Sequence, residues 1–154
     1  MKSLKIFLDR LIVGLTSTLF VIMVIIIFTQ VVARYVFHNS LSWSEELARF
    51  IFVWIVFLGS SYVLGHGAHA NLDLVLSRLP EKMRLVLEKV NTILLFGFSF
   101  IIAKYGYDFI KLGNNQNSSA LQIPMNIIYT IIPISGTLLM LYCVFIFFKV
   151  DERS

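Results

Sequence analysis

Of the 154 residues, 58% are hydrophobic and only 14% are charged, and the mean hydropathy is +0.83; such a chain is too apolar to be a soluble domain and belongs in a membrane. The formal charge of +4 and the pI near 9.3 do not imply a nucleic-acid partner, because the basic residues stand singly at the edges of apolar runs and build no basic face. Cys143 is the single cysteine and lies inside an apolar run, so no intrachain disulfide can form.

Lys2, Lys5 and Arg10 precede an apolar run from Leu11 to Ala33. About 23 residues at 1.5 Å each cross a hydrocarbon core of roughly 30 Å. A signal peptide is the rival reading, but its apolar core is usually about 7 to 15 residues long and ends in a small-x-small site. This run ends instead in Gln30-Val31-Val32-Ala33-Arg34-Tyr35. A retained first span over about 11–33 is expected.

A short loop, Tyr35 to Leu41, leads to Ser42-Trp43-Ser44-Glu45-Glu46-Leu47-Ala48-Arg49 and then to the apolar run Phe50 to Leu64. Ser42 followed three residues later by Glu45 has the capping-box pattern, and two acids in a first turn suit the positive end of a helix dipole. Arg49 follows Glu45 by four residues and Glu46 by three, so the three side chains can share one helical face; a tie that also includes Arg34 is expected at this membrane edge. Trp43 suits headgroup depth. The second span is expected over about 44–64.

Gly65-His66-Gly67-Ala68-His69-Ala70 interrupts the apolar pattern. After it, Leu72, Val75, Leu76 and Leu79 fall at helical spacing opposite Asn71, Asp73, Ser77 and Arg78, which predicts a short interfacial helix over about 71–79, ended by Pro80. Pro80 and Glu81 suit the start of a long third helix running to about Leu112, its span over about 84–112 and its amphipathic start projecting from the bilayer. Gly113 to Gln122 is rich in Asn and Ser and reads as a loop. Asn117-Ser118-Ser119 matches a glycosylation acceptor, a pattern that such a loop produces by chance. A fourth span follows over about 126–148, with Pro133 expected to kink it and Ser135, Gly136 and Thr137 allowing close packing.

These elements predict an all-α integral membrane protein, a single membrane domain over 1–154 with four transmembrane helices. Four spans place both termini on one side. Nine Lys and Arg residues (2, 5, 10, 78, 82, 84, 89, 149, 153) lie on that side and four (34, 49, 104, 111) on the other, so the termini are expected in the cytoplasm.

Chemistry is sparse. The three histidines, His38, His66 and His69, all fall in connecting segments by this reading, where a bundle haem would want them at membrane depth on facing helices. His66-x-x-His69 could ligate a metal, but with only Asp73 nearby two surface histidines are the plainer account. No phosphate loop, nucleophile-base pair or acid dyad is visible, and no ionisable residue falls at the centre of a span, where a carrier of charged substrates usually needs one. The residues nominate no catalytic, cofactor or metal site. They nominate a structural or docking rim of Arg34, Trp43, Glu45, Glu46, Arg49, Lys104, Asp108 and Lys111, the last three at i, i+4 and i+7.

Arg34-Tyr35-Val36-Phe37, Trp43-Ser44-Glu45-Glu46-Leu47-Ala48-Arg49, Phe52-Val53-Trp54 and Gly59 together resemble the small membrane subunit of tripartite ATP-independent periplasmic (TRAP) transporters, the DctQ-type family. His69-Ala70-Asn71-Leu72-Asp73 and Ala120-Leu121-Gln122-Ile123-Pro124 with Tyr129 and Pro133 extend the resemblance over nearly the whole chain; Met125-Asn126 departs from it, an aromatic being expected there. The resemblance implies a non-enzymatic subunit of the bacterial inner membrane with two partners, a large multi-spanning transport subunit and a periplasmic substrate-binding protein. It implies uptake of organic acids such as sialic acid or C4-dicarboxylates on a sodium gradient, with the transport site in the large subunit and this chain as scaffold. An anchor subunit of a respiratory enzyme, a small stand-alone carrier and a small membrane-embedded enzyme are the rival readings. The carrier would need an acid within Leu11 to Ala33, which holds none.

Overall fold

The computed structural model describes residues 2–38, 41–67 and 80–151. Five helices account for almost all of them: α1 (Lys2–Val36), α2 (Ser42–Gly67), α3 (Glu81–Gly113), α4 (Met125–Tyr129) and α5 (Ile131–Asp151). Four stretches are long and apolar enough to cross a membrane, Ser3–Val36, Ser42–His66, Val86–Gly113 and Met125–Phe147. The last joins α4 to α5 across Thr130. That break follows from Pro133, which has no N–H to give the carbonyl four residues earlier. Thr130 bridges the gap: its N–H and its hydroxyl both bond the Asn126 carbonyl, at 3.1 and 2.8 Å. The interfacial helix expected over 71–79, and His69, lie outside the described residues.

The main pairings run in a row, α1 against α2, α2 against α5, and α5 against α3. Within the most apolar window of each span, 6% of residues are buried in α1 and 33% in the α4–α5 stretch. The last helix in the chain is thus the central one.

Hydrocarbon tails are as apolar as leucine side chains, so burying leucine against a neighbouring helix gains little and close approach of small residues gains more. The α3–α5 contact is built that way. A Cβ added to Gly113 would lie 2.6 Å from the Asn126 nitrogen, one on Gly106 would lie 2.8 Å from the Pro133 ring, and one on Gly136 would lie 2.6 Å from the Ala103 nitrogen. Steps of seven and three residues back along α3 match equal steps forward along α4 and α5, the register of an antiparallel pair. Ser99 and Thr92 continue this face, their hydroxyls turned onto the carbonyls of Leu95 and Glu88 at 2.7 and 2.8 Å. Where phenylalanine replaces glycine the seam opens into a groove of about 180 Å³ lined by Thr92, Ile93, Phe96, Cys143, Val144 and Phe147.

The α2–α5 contact combines a small apolar core with hydroxyl bonds. Leu58, Ile131 and Tyr142 pack with Ile12 of α1, and Trp54 and Phe57 close around them. Fully buried Ser61 donates to the Phe57 carbonyl at 3.1 Å and reaches the Ser135 carbonyl at 3.4 Å.

The glycines of the two helices are therefore not equivalent. Gly136→Val is expected to force α3 and α5 apart and destabilise the fold by about 1–3 kcal/mol, whereas Gly59→Ala, with nothing within 4 Å of the added carbon, should be neutral or better. Thermal midpoints of the two variants in detergent, read by size-exclusion chromatography, check the contrast.

Candidate functional site

Polar side chains cluster at the two ends of the helix row and leave the middle to hydroxyls. At the end where α2 begins, Ser42 is the first helical residue, so it does not stand in the capping position that its spacing to Glu45 suggests. The Ser44 hydroxyl instead donates to the Leu41 carbonyl at 2.7 Å. The expected tie among Glu45, Glu46, Arg49 and Arg34 does not form; ion pairs are found elsewhere, between His66 and Asp9, Arg84 and Glu88, and Lys111 and Asp108. Arg34, Glu45 and Arg49 are exposed, as is Trp43 at 45%.

Glu46 has a better partner than Arg49. The segment before α4 folds back on itself: Ser118 N–H donates to the Ile123 carbonyl at 2.9 Å and Ile123 N–H to Ser118 Oγ at 3.1 Å. Gln122 closes the bend in the left-handed region at φ 54. This turns three consecutive N–H groups toward α2. Ser119 donates to Glu46 Oε1 at 3.0 Å, and Ala120 and Leu121 donate to Oε2 at 2.9 and 2.8 Å. Three charge-assisted bonds from a fixed backbone outweigh one exposed ion pair, whose value is about 0–1 kcal/mol. The Asn-rich segment is thereby clasped to the start of α2, and Asn126 adds a 2.8 Å bond to Asn114 across its base.

Lys104, Asp108 and Lys111 lie along the end of α3. Lys111 stands 3.6 Å from Asp108 and 4.7 Å from the centre of the Tyr107 ring, while Lys104 lies 5.9 Å from that of Tyr105. Lys104 and Asp108 do not pair within the ion-pair distance. With exposed Tyr35, Phe37, Trp43 and Phe109 the result is an aromatic and basic rim at a membrane boundary.

The opposite end holds a cluster that sequence spacing did not reveal. His66 is helical, because α2 runs on through Gly67 where the two glycines suggested a break. Gly65 lets the Tyr142 ring lie directly on the α2 backbone, where a Cβ would overlap it. Tyr142 donates to Asp9 Oδ1 at 2.6 Å, Asp9 Oδ2 lies 3.1 Å from His66 Nε2, and the Lys5 ammonium donates to the Gly65 carbonyl at 3.2 Å. Asp9 and Tyr142 are 133 residues apart, a separation no local pattern reports; the four-residue step from Tyr62 to His66 was the one visible sign. On α3, buried Glu88 pairs with Arg84 at 2.9 Å.

Both clusters fasten separate parts of the chain together. Comparison with known proteins agrees with a membrane subunit. Residues 23–152 match the family described as tripartite ATP-independent periplasmic transporters, DctQ component. A Haemophilus influenzae chain described as a TRAP transporter small permease protein is 25% identical over 138 residues, 90% of this chain and 86% of its own length. The C4-dicarboxylate TRAP transporter small permease protein DctQ of Rhodobacter capsulatus is 30% identical over 65% of this chain and 45% of its own. The sialic acid TRAP transporter permease protein SiaT of Haemophilus influenzae is 33% identical over 65% of this chain, but that match occupies only 16% of the longer permease.

The clasp has a direct readout. Glu46→Ala should speed hydrogen exchange at the Ser119, Ala120 and Leu121 amides by about 10-fold or more, the loss of charge-assisted bonds worth about 1.5–3 kcal/mol. Glu46→Gln should fall between, and Glu45→Ala should leave those amides unchanged.

Proposed function

This chain belongs to the DctQ component family of tripartite ATP-independent periplasmic transporters, and from that premise we propose that it is the static scaffold of a TRAP permease. Its partner is a large multi-spanning transport subunit, which carries the substrate and ion sites. The complex takes up an organic acid of the sialic acid or C4-dicarboxylate type on a sodium gradient, delivered by a periplasmic binding protein. The observation that carries the scaffold role is the placement of charge. Between Arg10 and Arg34, Arg49 and His66, and Lys89 and Lys104 the helices hold no Asp, Glu, Lys, Arg or His, and none falls from Met125 to Phe148. Organic anions and sodium ions crossing the bilayer need charge-matched or oxygen-rich groups near its midplane. Most hydroxyls in the middle of this chain bond carbonyls of their own helices.

Two further observations support the reading. The stretch of SiaT that matches this chain is a small part of a longer permease, which fits a subunit that works beside a larger transport body. The broad exposed apolar faces of α1 and α3 suit lipid on one side and such a body on the other. A haem-bearing anchor is disfavoured by His66, whose ring nitrogens both face protein oxygens.

The nine-to-four division of Lys and Arg orients the scaffold in the inner membrane, termini in the cytoplasm and the clasped segment outside. In a Cys143→Ser background, Asn115→Cys, on an exposed residue, should react with an impermeant thiol reagent in intact cells. Ser3→Cys should react only after lysis; the reverse pattern would invert the orientation.

Reconstitution tests the role. Vesicles holding the large subunit, binding protein, substrate and sodium gradient should accumulate substrate only when this chain is present, while the isolated chain should bind none. Full uptake without it would remove the scaffold from the mechanism.

A further inference from the structure

The seam between α3 and α5 fails to close at one level. The register that sets Ala103 against Gly136 carries Phe96 level with Cys143 and Thr92 level with Phe147, and between these pairs lies the groove of about 180 Å³. It runs along the helix axes for about 6 Å, roughly one turn of rise. Ile93 and Val144 stand exposed at its edge. Nothing in its wall asks for a polar occupant: the Thr92 hydroxyl is turned onto the Glu88 carbonyl at 2.8 Å, Cys143 is buried, and the other four side chains are hydrocarbon. The groove lies within the stretches Val86–Gly113 and Met125–Phe147, both apolar enough to cross a membrane.

One end of the groove carries a charge. Lys89 precedes Thr92, Ile93 and Phe96 by three, four and seven residues, so it shares their helical face and stands one turn nearer the N-terminal end of α3. It is half-buried. A lysine so placed lays its methylene stem along apolar surface and carries its ammonium outward to headgroup depth. The neighbouring acid, Glu88, is bonded to Arg84 at 2.9 Å, so that carboxylate is offset by its own helix. An apolar slot with a cation at its outer end has the polarity of a phospholipid, methylenes inward and phosphate outward.

We propose that this groove seats one acyl chain of an anionic glycerophospholipid whose phosphate is held by Lys89. The chain fills the space that phenylalanine leaves where glycine would have closed the seam, and so completes the α3–α5 contact beyond Ser99. A lipid chain lies along the groove, whereas a side chain from a neighbouring protein would have to enter across its length. The ammonium donates a charge-assisted bond to the phosphate, and a headgroup of net negative charge is favoured over a zwitterionic one, whose own cation opposes the lysine. This seat does not depend on the scaffold role, nor on which leaflet the N-terminal end of α3 meets.

Native mass spectrometry of the full chain in detergent tests the seat, with phosphatidylglycerol and phosphatidylcholine of identical acyl chains as the probes. From an equimolar mixture the unaltered chain should retain one phosphatidylglycerol with about 10-fold preference. Lys89→Gln should remove that preference, whereas Arg10→Gln, on an exposed residue of α1 at the same end of the row, should leave it intact. Cys143→Leu, which fills the groove, should lower retention of both lipids. Equal retention of the two lipids by the unaltered chain would overturn the proposal, as would a preference that survives Lys89→Gln or is lost equally in Arg10→Gln. Retention of neither lipid would also overturn it and leave the groove to a side chain of another protein. Should Cys143→Leu fail to fold, the lipid competition in the unaltered chain and in Lys89→Gln decides.

Discussion

The approach of Gly136 to the Ala103 backbone is the contact on which the arrangement of this protein depends. In a bilayer, helices gain little by hiding leucine from lipid, so association rests on dispersion between closely fitted surfaces and on bonds between polar groups. A glycine seam supplies the first. By admitting α3 to the backbone of α5, it makes α5 the helix with neighbours on both sides, and α2 takes the other flank through Ser61, Leu58 and Gly65. Pro133 fits the same scheme. Its ring occupies the space left open at Gly106, so the residue that breaks the fourth span also fills part of the seam.

Polar bonds then complete what close packing begins, and they do so where water can reach them. A carboxylate in mid-bilayer would cost several kcal/mol; at the ends of the helices the same group can accept bonds from fixed donors. Glu46 illustrates the preference for a rigid partner. Arg49 lies on its own helix within reach, yet the carboxylate turns to three N–H groups of the segment before α4, because preorganised backbone donors lose less side-chain entropy than an exposed arginine. The loop is ordered by this bond set, not by any apolar core of its own.

How much of this could be read from sequence differs between levels. The helical class and the four apolar stretches were legible because bilayer thickness imposes length and hydropathy on each helix separately. The family resemblance was legible in Trp43 to Arg49 and its neighbours. Pairings between distant helices were not: nothing local distinguishes Glu46 bonded to Arg49 from Glu46 bonded to Leu121, and Asp9 carries no mark of Tyr142. His66 was misplaced for a physical reason. Gly65 and Gly67 lower helix propensity, but here Gly65 is required by the aromatic ring lying against it, so packing overrides propensity. The small residues Ala103, Gly106, Gly113 and Gly136 were present in plain view, but only their antiparallel register makes them a seam.

A scaffold differs from a carrier in what its bonds must resist. A moving domain needs elements with two packings of similar energy, whereas a frame needs each helix restrained at more than one level. α2 meets that condition: Glu46 holds its start to the clasped segment, Ser61 bonds α5 in mid-span, and Asp9 with Tyr142 holds its end through His66. Restraint at three depths opposes both tilting and sliding of α2 against α5. α1 is packed less closely, with only 6% of the residues in its most apolar window buried, so its outer length can be shaped by whatever covers it. The frame is therefore stiffest at its centre and most adaptable at its α1 edge, which suits a subunit that must hold still and still fit against a larger neighbour.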